Sequence, residues 1–192
     1  MFDDLFAQYG QLVAAADEAF CRMERDYGPN IRCQIHCADC CHAVFGLFLI
    51  EAVYLRSQFE KLTAEEQRAV VLRADRADEQ LLQIQRKLEA YTDDPQLQAY
   101  ALARERVRCP LLNDQDECVL YPVRPITCRV YGIPTVINGT ARVCWKAAFE
   151  RGRSYPVFNL DAVYRALFVL SREILERSGQ KDTDRASILL SV

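Results

Sequence analysis

Four cysteines and both of the chain's histidines crowd into ten residues, Cys33-Gln-Ile-His36-Cys37-Ala-Asp-Cys40-Cys41-His42. Thiolates are soft donors that select zinc, cuprous copper or iron–sulfur centres over magnesium or calcium. The spacing Cys37-x2-Cys40 suits a tight knuckle that turns two sulfurs toward one centre. Free cysteines are common core residues, but core cysteines do not cluster at turn spacing, so the stretch reads as half of a metal site. Neighbouring side chains in an extended loop point apart. The adjacent pair Cys40-Cys41 therefore suits two metals, or one metal and a place behind it, better than one mononuclear ion. His36 and His42 are candidates to replace a thiolate or to donate to one.

The second half of such a site is spread along the chain as Cys109, Cys118, Cys128 and Cys144. Eight thiols could build two closed four-cysteine zinc sites or hold one iron–sulfur cluster with thiols to spare. The vicinal pair and the number of thiols tilt the choice toward iron–sulfur, with zinc as the other occupant. The ninth cysteine, Cys21, stands apart and reads as an ordinary helix residue. Around the second half lie Tyr121, Arg124, Arg129 and Tyr131. A thiolate centre carries excess negative charge, which Arg124 and Arg129 could offset while donating to sulfur. Pro122 and Pro125 stiffen the loop that presents these sulfurs.

The elements that must position these residues are mostly helical. Leu5, Leu12, Val13, Ala16, Phe20 and Met23 recur at helical spacing over residues 3–27, which Gly28-Pro29 ends. A second helix is expected over 46–61. Thr63-Ala-Glu-Glu66 is a capping box that opens the longest helix, to about residue 91. A break at Asp93-Asp94-Pro95 starts a shorter one, to about 106. Asn159 can cap the last, with Asp161 suited to the dipole and Gly179 ending it; Ile188, Leu189 and Leu190 are then free to dock. Between 107 and 158 the helical period is lost and five prolines appear. Loops of that length are uncommon in compact domains, so bound metal is expected to hold the segment. Short strands are expected at 118–120 and at 142–145, the latter after a turn at Asn138-Gly139. The fold expected is mainly α, about five helices around one core in a single domain over residues 1–192, with metal-binding segments at 33–42 and 109–144.

Composition narrows the function classes. The chain has 192 residues, 51% hydrophobic and 27% charged, with a net charge of −3. It is long enough to bury a real core, and its charge does not suggest a nucleic-acid partner. The start, Met-Phe-Asp-Asp-Leu-Phe, lacks the positive, then apolar, pattern of a signal peptide. The longest apolar run, residues 43–50, is short of the roughly 20 residues a bilayer crossing needs. A cytoplasmic protein without membrane association is the expectation. There thiols stay reduced, so nine cysteines point to metal or redox chemistry and not to disulfides.

Taken together, Cys37-x2-Cys40-Cys41, Cys109-Pro110-Leu111-Leu112, Cys118-x2-Tyr121, Arg124-Pro125 and Cys128-Arg129 resemble the YkgJ-like cysteine-cluster family, described as a zinc- or iron-chelating domain. The resemblance spans residues 33 to about 145. The family pattern opens Cys-x2-Cys-x2-Cys-Cys, whereas here the first gap, Cys33 to Cys37, is three residues. The cysteine pattern is also similar to that of flagellin lysine methylases, which implies iron–sulfur-dependent methyl transfer; this chain is shorter than those enzymes. Three functions stay open: a metal-binding protein with a structural or redox thiolate centre, an iron–sulfur-dependent enzyme, and a zinc-stapled interaction module. No glycine-rich nucleotide loop or Ser/His/Asp arrangement adds a fourth.

Overall fold

The computed structural model describes residues 2–34 and 36–179, and the expected docking of Ile188, Leu189 and Leu190 lies outside them. Helix α1 (Asp3–Tyr27) carries Asp3 and Asp4 in its first turn and Arg25 in its last, charges that complement the helix dipole. It buries Leu5, Tyr9, Ala16 and Met23 along one face. A 3-10 turn at Gly28–Asn30 ends it. The cysteine stretch follows as a loop with a second 3-10 turn at Cys40–His42. Helix α2 (Leu49–Phe59) begins three residues later than its apolar pattern suggests. The preceding residues run extended, because Ala43 pairs with Arg106 in an antiparallel bridge.

Helix α3 (Ala64–Leu88) opens on the expected capping box: Thr63 Oγ1 accepts from the Glu66 amide and Glu66 accepts from the Thr63 amide. Helix α4 (Pro95–Leu102) is capped by Asp94, whose carboxylate accepts from the Gln96 and Leu97 amides. It stops short of 106 because Arg106 is already committed to Ala43.

The segment expected to be irregular holds more structure than its sequence suggests. A five-residue helix, α5 (Ile126–Val130), follows the 3-10 turn Tyr121–Val123. Strands β1 (Thr135–Ile137) and β2 (Thr140–Arg142) form a hairpin, and β3 (Phe158–Asn159) adds to β1 in parallel. The hairpin turn, Asn138-Gly139, has both residues in the left-handed region, the two-residue connection for which Asn-Gly is favoured. Asp161 accepts from both turn amides, at 2.7 and 2.9 Å. The strand expected at 118–120 is only an isolated bridge, Leu112 to Cys118, since the chain turns at once from Cys118 to Tyr121. The strand expected at 142–145 stops at Arg142 because Cys144 opens a turn closed by the Ala147 amide. Asn159 caps α6 (Leu160–Arg177) through the Ala162 amide.

The fold is mainly α, six helices among the described residues with one small sheet. The main core joins α1, α2, α5 and α6 around Leu5, Tyr9, Ile50, Ile126, Val130, Leu160 and Leu167. Two smaller clusters lie under α3, one with Leu111 and Leu120, one with Val107. Buried Ser171 of α6 accepts from the Ile50 amide and donates to the Leu167 carbonyl, pinning α6 to the start of α2. Protein contacts tie the 107–158 segment to the rest of the fold. Cys109 and Val107 donate to the carbonyls of Cys41 and His42, and Ala148 and Asn30 exchange two hydrogen bonds at 2.7 and 2.8 Å. No helix among the described residues is long and apolar enough to cross a membrane.

Candidate metal centre

Three pieces of chain converge on one cavity of about 960 Å³ between α1, the cysteine stretch and the 107–129 segment. Cys33, Cys37, Cys40, Cys41, Cys109, Cys118 and Cys128 line it, with His36, Tyr121, Arg124 and Arg129. Cys21 reaches the same wall from α1, next to Phe20 and Glu24. Its place in the helix, one turn from the wall residue Asp17, is the only sequence signal for this. Cys144 and Tyr131 are not part of the wall. Apolar side chains such as Phe20, Val44, Phe45 and Leu111 make up much of the rest.

The sulfurs are near neighbours. Cys40 and Cys41 stand 3.9 Å apart. Hydrogen bonds from Cys128 and Cys41 lower the Cys40 thiol, helped by the positive charge of Arg124. The same bonds raise Cys41 and Cys128, as does burial. Burial pushes Cys109 up to about 11 and raises Cys118 against the pull of Arg124. Burial, followed by the sulfurs of Cys37 and Cys144, pushes Cys33 up to about 12. Buried thiols that raise one another in this way resist ionising together unless a cation sits among them. The donor set thus fits a thiophilic metal. Among the described residues, no three His, Cys, Asp or Glu side chains converge as the ligands of a formed ion site do.

Both imidazoles use Nδ1 toward a backbone carbonyl, His36 to Gln115 at 3.0 Å and His42 to Ala38 at 2.9 Å. That contact favours the Nδ1–H tautomer and leaves Nε2 as an acceptor. Of the two arginines, Arg124 lies over the Tyr121 ring, 4.0 Å from its centroid, within electrostatic reach of Cys40 and Cys118. Arg129 is 6% exposed. Its hydrogen bonds go to Asp17, to the Pro122 carbonyl and to the Arg124 carbonyl. It braces the loop that carries Cys128 against α1. Tyr131 pairs with Arg106, and burial raises its phenol to about 12.

Sequence reading missed Asp39, a carboxylate 4% exposed inside the cysteine stretch. Its Oδ1 accepts from Arg106 at 2.7 Å and Trp145 Nε1 at 3.3 Å, and Lys146 is 3.6 Å away. The aspartate inside a run of cysteines was the available signal. Gly132 was also missed: a Cβ built there would lie 2.1 Å from Cys33 Sγ. Gly132→Ala is expected to cost about 1–3 kcal/mol, as overpacking does, and to displace the Cys33 thiol. Denaturant unfolding and the labelling rate of Cys33 check this; wild-type values for both would contradict the close packing.

One family model matches the chain, over residues 32–145: CxxCxxCC, described as a putative zinc- or iron-chelating domain. Neither the curated proteins nor the solved structures contain a match.

Proposed function

The chain belongs to the CxxCxxCC family, and on that premise we propose that it binds a transition metal through its cysteine thiolates, as an iron–sulfur centre with a structural or redox role. The observation that carries the reading is one cavity lined by eight cysteines, Cys21 of α1 and seven from residues 33–128, with Arg124 beside them. Thiolate donors suit iron–sulfur clusters and zinc alike. The number of sulfurs and the vicinal pair Cys40-Cys41 favour the cluster. Arg124 offsets part of the negative charge that such a centre accumulates.

Protein purified without oxygen is expected to contain iron and acid-labile sulfide and to absorb in the visible. Colourless protein holding zinc alone overturns the iron–sulfur assignment and leaves the thiolate site standing. Cys128→Ser is expected to lose metal, whereas Cys21→Ser, at an exposed helix position, keeps it. Equal loss in both variants would show that the ligand set is misassigned.

A second reading, an iron–sulfur-dependent enzyme, is favoured by the size and lining of the cavity. Small-molecule sites run from roughly 300 to 1,000 Å³ with mostly apolar walls, and this cavity is of that size, about 960 Å³.

A further inference from the structure

Trp145, the only tryptophan, is 76% exposed. Tryptophan is largely buried on average, yet this one belongs to none of the apolar clusters of the core. Its ring is nevertheless held in place. The indole Nε1 donates to Asp39 Oδ1 at 3.3 Å. That carboxylate is buried and is itself fixed by Arg106 at 2.7 Å. Lys146 Nζ lies 5.6 Å from the ring centroid and 3.6 Å from Asp39 Oδ1. Ordering a large side chain is part of the cost of forming an interface, and here the protein has ordered it in advance. Val143, two residues earlier, is exposed as well.

The segment around this ring is basic in a chain that is acidic as a whole. Residues 142–153 carry Arg142, Lys146, Arg151 and Arg153 against the single acid Glu150, while the net charge of the chain is −3. Arg153 pairs with Glu150 at 3.9 Å. Arg142 and Arg151 are exposed, and neither pairs with an acidic side chain among the described residues. Asp39 faces both Arg106 and Lys146 and balances only one of them. The face therefore offers unbalanced positive charge around a fixed aromatic ring. Tryptophan and arginine are the residues that most often dominate binding energy at protein interfaces.

We propose that this face docks an acidic segment of a partner protein, with Trp145 as the apolar anchor and Arg142, Lys146 and Arg151 as the cationic rim. A partner with apolar side chains flanked by carboxylates satisfies both features, the ring and the charge. Complementary charge of this kind steers encounter and fixes register. A uniform polyanion would leave Val143 and the exposed indole unmatched and would be repelled by the acidic remainder of the chain. Asp39 lies between Cys37 and Cys40, so a partner held on Trp145 sits at the outer side of the cysteine stretch. Only that last link, from partner to metal, rests on the metal-binding reading above; the docking surface does not.

The test is fluorescence anisotropy of a dye-labelled synthetic peptide, leucines at its centre and glutamates on either side, titrated with the full-length protein as purified. Wild type is expected to bind it, and added salt to weaken the binding several-fold. In the reverse titration the peptide is expected to change the Trp145 emission. Trp145→Ala is expected to weaken binding about 10-fold or more, as removal of a central anchor does. The double variant Arg142→Glu, Arg151→Glu is expected to do the same while leaving the Asp39 contacts in place, and it carries the test if Trp145→Ala does not fold. No binding at about 1 mM peptide, a very weak interaction, overturns the proposal, as does unchanged affinity in both variants. Equal binding of a peptide with glutamines in place of the glutamates overturns the acidic partner. Tighter binding of single-stranded RNA or of phosphatidylglycerol vesicles, lost in the same variants, overturns the protein partner. A dimer of the chain that Trp145→Ala dissolves makes a second copy the occupant and overturns it too. Metal content is measured on the same samples: a chain that binds the peptide and holds no metal overturns the metal-binding reading and leaves the docking surface standing.

Discussion

Arg129→Ala is expected to destabilise the protein by about 3 kcal/mol, the lower end of the range for removing one partner of a buried ion pair. The lower end applies because Asp17, the partner left behind, is 44% exposed and can rehydrate. The rest of the cost comes from the Pro122 and Arg124 carbonyls, which lose charged donors at 2.6 and 2.9 Å. A lysine cannot reproduce this pattern, because three acceptors are met by one planar fork. Arg129→Lys should therefore recover only part of the loss. The cavity wall suffers too, since Arg129 is the residue that locks the Cys128 turn onto α1. Denaturant unfolding of both variants checks the prediction. A loss below 1 kcal/mol for the alanine variant would mean that the loop is held by other contacts.

The second large effect is a dependence of stability on pH that comes from the core and not from the thiols. Glu51 is 3% exposed. Its two oxygens accept the Phe48 amide at 3.2 Å and the Ile126 amide at 3.0 Å, so one carboxyl caps both α2 and α5. Burial raises it from the ordinary 4.5 to about 7, against the pull of those two amides. The folded chain thus holds a proton on Glu51 that the unfolded chain releases. Stability from this group is complete below pH 4.5 and is lost as pH rises through 7. The shift corresponds to on the order of 3 kcal/mol. Glu51→Gln abolishes the titration but leaves one amide facing its NH2 group, at a cost of about 1 kcal/mol. The stability gap between wild type and variant should shift in favour of glutamine by about 3 kcal/mol between pH 4.5 and 8. A gap that stays constant over that range would show that Glu51 is ionised throughout.

The long helices were legible because they are periodic and capped. Thr63, Asp94 and Asn159 each begin a helix by accepting the amides that a first turn leaves unpaired. The short elements were not legible. Helix α5 has five residues between Pro125 and Tyr131, too few for a period to register, and it exists because Glu51 caps it across 75 residues of sequence. β1 was invisible for a similar reason, since its partners are a three-residue strand and a two-residue strand. At the site, the density of sulfur between Cys33 and Cys41 announced soft-ligand chemistry. Which sulfur neighbours which depends on Ala148 meeting Asn30 and on Cys109 meeting Cys41, contacts that no local pattern encodes. Arg124 and Arg129 looked alike in sequence. Burial and the position of Asp17 separate them, one beside the sulfurs and the other holding the loop. Asp39 was overlooked because a lone aspartate among cysteines resembles a loop residue until Arg106 and Trp145 are seen to close on it.

The central claim is that cysteine sulfur holds the metal, and the scattering shell around that metal tests it most directly. X-ray absorption of the anaerobically purified protein is expected to show a first shell dominated by sulfur at about 2.3 Å, the distance of metal–thiolate bonds. A first shell of nitrogen and oxygen alone, at about 2.0–2.2 Å, would contradict it.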